Sequence, residues 1–159
     1  MAIEYIFETV TDLSPRELIE FFAQRMNCVV ENGGSARRDS HMQLLVSVSQ
    51  STDLVEESEI FGDVALTNVT FRTASVDDED VRQDDFIAMT QAVLAFFHHH
   101  PDAPGILAYQ GELILLRRLA GESIQFDTSW EEFSRRQDDP RVGAITCPYE
   151  IGRLEQPFM

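Results

Sequence analysis

The chain has 159 residues, 43% of them hydrophobic, with 28 acidic against 12 basic side chains and a formal net charge of −16. That length and apolar content can bury a core without disulfides or a structural metal, and 1–159 reads as a single domain. The acid excess excludes recognition of nucleic acid through phosphate contacts, and no apolar run is long enough to form a membrane-spanning helix.

Every base is Arg, and no Lys occurs. Such charge keeps a protein soluble and attracts a cationic partner. The opening "MAIEYIFETV" alternates apolar and polar residues and lacks the basic start and unbroken apolar stretch of a signal peptide. With only Cys28 and Cys147, the expected location is a reducing cytoplasm with both thiols free.

Residues 3–10 read as a strand with Ile3, Tyr5 and Phe7 on one face. In "SPRELIEFFAQRM", Ser14 is an N-cap, Pro15 suits the first helical position and Glu17 completes a capping box. Leu18, Phe21, Phe22 and Met26 recur at helical spacing, so 14–26 is a helix with a buried stripe. A short strand at 28–31 and a turn at Asn32–Gly34 follow. A strand spans about 41–50, where Met42, Leu44, Val46 and Val48 alternate and Leu45 breaks the pattern. Residues 51–63 are an acidic loop, 64–74 a β-branched strand, and "SVDDEDVRQDD" a loop leading into a second helix.

The second helix is expected from Asp84 or Asp85 to about His99, with an aspartate satisfying the free N–H groups at its start. Phe86, Met89, Val93 and Phe97 share its core face, widened by Ile87, Leu94 and Phe96. "GILAYQ" and "ELILLRRL" form a hairpin about Gln110-Gly111-Glu112, and a turn at "AGE" leads to the strand "SIQFD". "TSWEEFSRR" reads as a short helix with Trp130 as a core plug. The tail, with three prolines, is irregular or holds one short strand. Consecutive strands joined by short turns predict an α+β fold: a mainly antiparallel sheet of about six strands with two main helices on a face.

Three of the four histidines, His98, His99 and His100, stand in a row before Pro101. Adjacent helical residues point about a hundred degrees apart, so they do not converge on one ion. Proline forbids continuation of the helix and restricts the residue before it. The run therefore reads as a helix stop, with histidines covering the last carbonyls. GxSxG, P-loop, GxGxxG and HExxH motifs are absent, and paired carboxylates occur in solvated runs rather than as a sequestered acid and base. No catalytic residue, metal or cofactor is expected. Arg117 and Arg118 end a strand, where at least one faces solvent in a surface ion pair.

Charge geography remains. Glu56, Glu57 and Glu59 lie in one acidic loop, and Asp77, Asp78, Glu79, Asp80, Asp84 and Asp85 in a second stretch containing Arg82. These residues are the candidate partner-binding surface, suited to a basic protein whose association they would accelerate.

The opening strand followed by "TDLSPRELIEFFA", and later "MTQAVLAFFHHHPDAPGILAYQGELILLRRLAGESIQFD" with Trp130 after it, resembles small immunity proteins of the swarming-inhibition toxin (Sit) type. The resembling features are the aliphatic helix, the Pro-Asp turn, the hairpin about Gly111-Glu112, the Arg pair and Trp130. They lie toward the two ends of the chain, and the tail after about residue 140 extends past them. The resemblance implies a non-enzymatic cytoplasmic bacterial protein that binds and neutralises a cognate toxin. It transfers no contact residue. The alternatives are an adaptor module, homodimeric through an exposed strand edge, or a small enzyme with a pocket between sheet and helices.

Overall fold

The computed structural model describes residues 3–32, 34–38, 42–50, 61, 65–73, 79–127, 149–152 and 154; at 46–50, 65, 79 and 149–151 only the backbone is described. The first helix forms as its caps dictate. In α1 (Pro15–Met26) the Ser14 hydroxyl accepts from the Glu17 N–H at 3.2 Å and donates to the Glu17 carboxylate at 3.1 Å. Asn27 ends α1 in the left-handed conformation, and the Cys28 N–H returns to the Ala23 carbonyl at 2.8 Å. Leu18, Ile19, Phe22, Ala23 and Met26 are buried. Phe21, expected in the buried stripe, is only partly buried and carries the Arg25 guanidinium 3.5 Å above its ring.

Among the described residues nine strands form one sheet: β1 (Ile3–Thr9), β2 (Val29–Asn32), β3 (Ser35–Arg38), β4 (Met42–Gln50), β5 (Ala65–Thr73), β6 (Gly105–Tyr109), β7 (Leu113–Arg118), β8 (Ile124–Asp127) and β9 (Tyr149–Gly152). Their order is β2-β3-β4-β5-β1-β6-β7-β8-β9. Every neighbouring pair is antiparallel except β8 and β9. The fold is α+β, as expected, with more than six strands.

Two strands stand beyond the seven taken in chain order. β9 is the short strand of the proline-bearing tail. β3 falls in "SARR", which has no apolar alternation to announce it. It forms because the turn after β2, where the Asn32 side chain accepts from the Gly34 N–H at 3.0 Å, sends the chain back alongside β2 and β4. The hairpin between β6 and β7 closes as read: Gln110 and Gly111 both have positive φ, 53° and 72°, and the Glu112 N–H bonds the Tyr109 carbonyl at 3.0 Å.

The second helix, α2 (Glu79–His99), begins five residues before the earlier of its two expected starts. Asp84 and Asp85 are interior residues, while Glu79 and Asp80 occupy the first turn, where negative charge suits the helix dipole. The expected core face holds: Phe86, Met89, Val93 and Phe97 are buried, as are Ile87, Leu94 and Phe96.

Strand alternation sends Tyr5, Phe7, Leu44, Val69, Phe71, Leu107, Leu116 and Phe126 toward the helices, where they join one core cluster with α1 and α2. Rings dominate it: Phe7 packs on Phe22, Phe96 and Phe97 with centroids 5.4–6.0 Å apart. A smaller cluster of Phe61, Leu66, Ile106, Ile114 and Leu154, with Val10 against it, takes Leu66 and Ile106 at opposite parity to Val69 and Leu107, and Ile114 beyond the register shift at Leu107/Ala108. Gly105 is dictated by this packing. A Cβ there would lie 2.7 Å from the Phe7 ring and 2.8 Å from the Phe97 ring. The expected helix with Trp130 lies outside the described residues, as does Cys147; the Cys28 thiol is half-buried and donates to the Met26 carbonyl at 3.8 Å.

Candidate functional site

The acidic residues expected to form a docking surface are placed unequally. Glu56, Glu57, Glu59, Asp77 and Asp78 lie outside the described residues, and Glu79 opens α2. Asp80 is exposed and Asp84 half-buried on the same helix. Asp85 is different: it is buried, and its carboxylate accepts from Arg38 on β3 at 3.0 Å. Arg38 also reaches the Asp84 carbonyl at 3.4 Å. Asp85 thus ties helix to sheet and is removed from the docking surface: it lies one turn before Met89 on the buried face of α2, opposite Arg38.

At the other end of α2, His99 is the last helical residue and Pro101 follows His100, so the run is a helix stop. The expected covering of the last carbonyls by histidines is not what the structure shows. Arg118 of β7 does it. Its guanidinium donates to the carbonyls of Phe97 at 2.9 Å, Ala103 at 2.6 and 3.1 Å, and His100, and lies 4.3 Å over the Phe97 ring. Of the pair expected to have at least one member facing solvent, Arg118 is only 6% exposed, and Arg117, half-buried, bonds Gln125 at 3.0 Å. A signal was present. Arg118 has the parity of Leu116, whose side chain is in the core, and a buried arginine at a helix C-terminus meets both orphan carbonyls and the negative dipole end.

The histidines border an open cleft of about 500 Å3. One wall is the turn from Val10 to Leu13 between β1 and α1; the other is the segment from His99 to Pro104 leading into β6. The two walls are stitched by the Thr9 hydroxyl, which donates to the Pro104 carbonyl at 2.7 Å. Asp12 and Asp102, both exposed, contribute one carboxylate from each wall. The His100 ring packs on Phe96 at 4.7 Å and on Phe21 at 6.1 Å. Burial pushes its imidazole below the ordinary histidine value, and His99, Arg118 and Arg25 add to the shift. His99 sits 3.1 Å from the Arg25 guanidinium through Nε2. Among the described residues no three His, Cys, Asp or Glu side chains converge to hold a metal, and no helix is long and apolar enough to cross a membrane.

A third feature is the sheet edge at β2. All four of its residues are exposed, with Val29 at 73% and Val30 at 41%, and its pairing with β3 shifts register between Val30 and Asn32.

A family model described as SitI3-like matches residues 3–137. The match runs from β1 through β8 and takes in the middle of the chain, with both acidic stretches, which the resemblance read from the two ends does not reach. The chain belongs to the SitI3-like family, whose name points to an immunity protein of the Sit type. No curated protein and no solved structure matches it.

Proposed function

We propose that this chain is a cytoplasmic bacterial immunity protein that binds a cognate toxin and neutralises it by occupation rather than by chemistry. Membership of the SitI3-like family over residues 3–137 carries the reading. The net charge of −16 supports a basic partner, since complementary charge steers encounter and raises the association rate. The contact surface in this reading is acidic and includes Glu56, Glu57, Glu59, Asp77, Asp78, Glu79, Asp80 and Asp84. The whole chain acts as one domain, with no cofactor.

The test is co-expression with the toxin encoded beside it. A stable complex and restored growth are expected, with an association rate that falls as salt screens the acidic surface. Charge reversal of Glu56, Glu57 and Glu59 to Lys should slow association about tenfold while leaving dissociation nearly unchanged. A toxin that kills equally fast in the presence of the chain ends the reading.

The exposed valines of β2 favour a second reading, a homodimer in which two β2 edges pair. A solution mass twice that of the 18.1 kDa chain, reduced to one by Val29→Lys, is its expected signature.

A further inference from the structure

We propose that the cleft between the β1–α1 turn and the α2–β6 segment is a socket for an arginine side chain of a basic partner protein. The inference rests on the reading that this chain docks such a protein, and it names where one of the partner's side chains goes.

The lining selects the ligand's charge. It includes two carboxylate residues, Asp12 and Asp102, one from each wall. The Arg25 guanidinium, which only donates, approaches His99 Nε2 at 3.1 Å. His100 is held against Phe96 and Phe21, where burial and the nearby cations disfavour a proton. The neighbouring cations are engaged with other groups: Arg25 lies on the Phe21 ring and 3.1 Å from His99, and Arg118 donates to the carbonyls of Phe97, His100 and Ala103. An anion entering the cleft meets two carboxylates; a cation meets two acceptors.

The walls select the ligand's shape. Val10, Leu13 and Pro101 offer apolar surface for an aliphatic stem, and the imidazoles offer flat faces. Arginine matches all three: a methylene stem that covers apolar surface, a plane that stacks on rings, and a fork that meets a carboxylate with paired hydrogen bonds. Lysine supplies the charge without plane or fork. Arginine is also among the residues enriched in the energetic centres of protein interfaces.

The experiment titrates the whole chain with acetyl-arginine amide, following the backbone amides of 10–13 and 99–103 and the two imidazoles by NMR. Expected are localised shifts saturating in the millimolar range. Uncharged acetyl-citrulline amide should bind at least tenfold more weakly and acetyl-lysine amide several-fold more weakly. The exposed pair Asp12→Asn and Asp102→Asn should cost tenfold or more with an unchanged melting temperature. Equal shifts with citrulline, equal binding of lysine, or full binding by the double variant overturns the socket. The toxin complex separates the two claims. A double variant that holds the toxin at full affinity sinks the socket and spares the immunity reading; arginine binding without a toxin complex does the reverse.

Discussion

The two ends of α2 are each fastened to the sheet by an arginine, in physically different ways. Near the start, Arg38 meets a carboxylate, Asp85, at 3.0 Å. At the finish, Arg118 meets main-chain carbonyls and an aromatic face. In the first pair both charges are side chains, and either can be lost singly. In the second, the arginine replaces water for carbonyls that proline and the chain reversal leave without helical partners. The C-terminal end therefore depends on one residue for several acceptors, whereas the other end depends on a pair within a larger contact.

The largest effect is therefore expected at Arg118. Arg118→Met keeps the stem but removes the donors to the carbonyls of Phe97 and Ala103, the first of them in a buried contact, and leaves the His100 carbonyl with only the Ala103 N–H at 3.1 Å. Four charge-assisted bonds to three carbonyls and a cation–π contact predict a loss of about 4 kcal/mol, read as a shift of the urea midpoint at constant slope. Arg118→Lys keeps the charge without the fork and should recover about half of it. An Arg118→Met variant within 1 kcal/mol of the parent would mean that water satisfies this end.

Gly105→Ala tests the same end from the other side. Its Cβ would enter the space of Phe7 and Phe97, at 2.7 and 2.8 Å, and Phe97 is the ring on which Arg118 lies. Overpacking here should cost about 3 kcal/mol. Combined with Arg118→Met, the loss should fall short of the sum, because both act through Phe97. Additivity would show that the ring and the cap are independent.

Asp85→Asn breaks the other fastening. The Arg38 side chain is 22% exposed, so its charge is partly recovered by water, and the loss should be about 2 kcal/mol, below that of a fully buried pair. It should add to Arg118→Met, since the sites stand at opposite ends of α2.

The same contrast explains what the sequence disclosed. α1 was legible to its caps, because Ser14, Pro15 and Glu17 act within one turn, and the Gln110-Gly111 hairpin was legible because positive φ is a local demand. The core face of α2 followed from period alone. Its true start did not, since the acidic run from Asp77 to Asp85 offers several residues that suit a first turn, and the inward role of Asp85 is set by Arg38, forty-seven residues earlier. β3 was missed because its residues pair through register rather than through apolar alternation. The cleft is built by two turns about ninety residues apart, so Asp12 and Asp102 carried no joint signal, and the role of Arg118 depended on knowing which carbonyls lay across from it.

The two ends of α2 also answer pH in opposite directions, which gives the smallest and most discriminating test. Burial pushes the Tyr5 hydroxyl, packed on Phe86 and Tyr109, from 10.0 up to about 12, with Tyr109 adding to the shift and Arg82 opposing it. A raised value in the folded state means that the unfolded chain loses its proton first as pH rises. Stability from Tyr5 is therefore complete below pH 10.0 and lost as pH climbs toward about 12. His100 is lowered from 6.5, so the unfolded chain gains its proton first as pH falls; its contribution is complete above pH 6.5 and lost below it. Urea midpoints across pH should thus fall on both sides of a plateau. Tyr5→Phe should flatten the alkaline limb alone and His100→Gln should reduce the slope of the acid limb. An acid limb unchanged by His100→Gln would mean that the imidazole is as free to charge in the folded cleft as in the unfolded chain. The socket would then carry a positive charge beside Asp102 in weak acid, and arginine would be repelled where neutral histidine admits it.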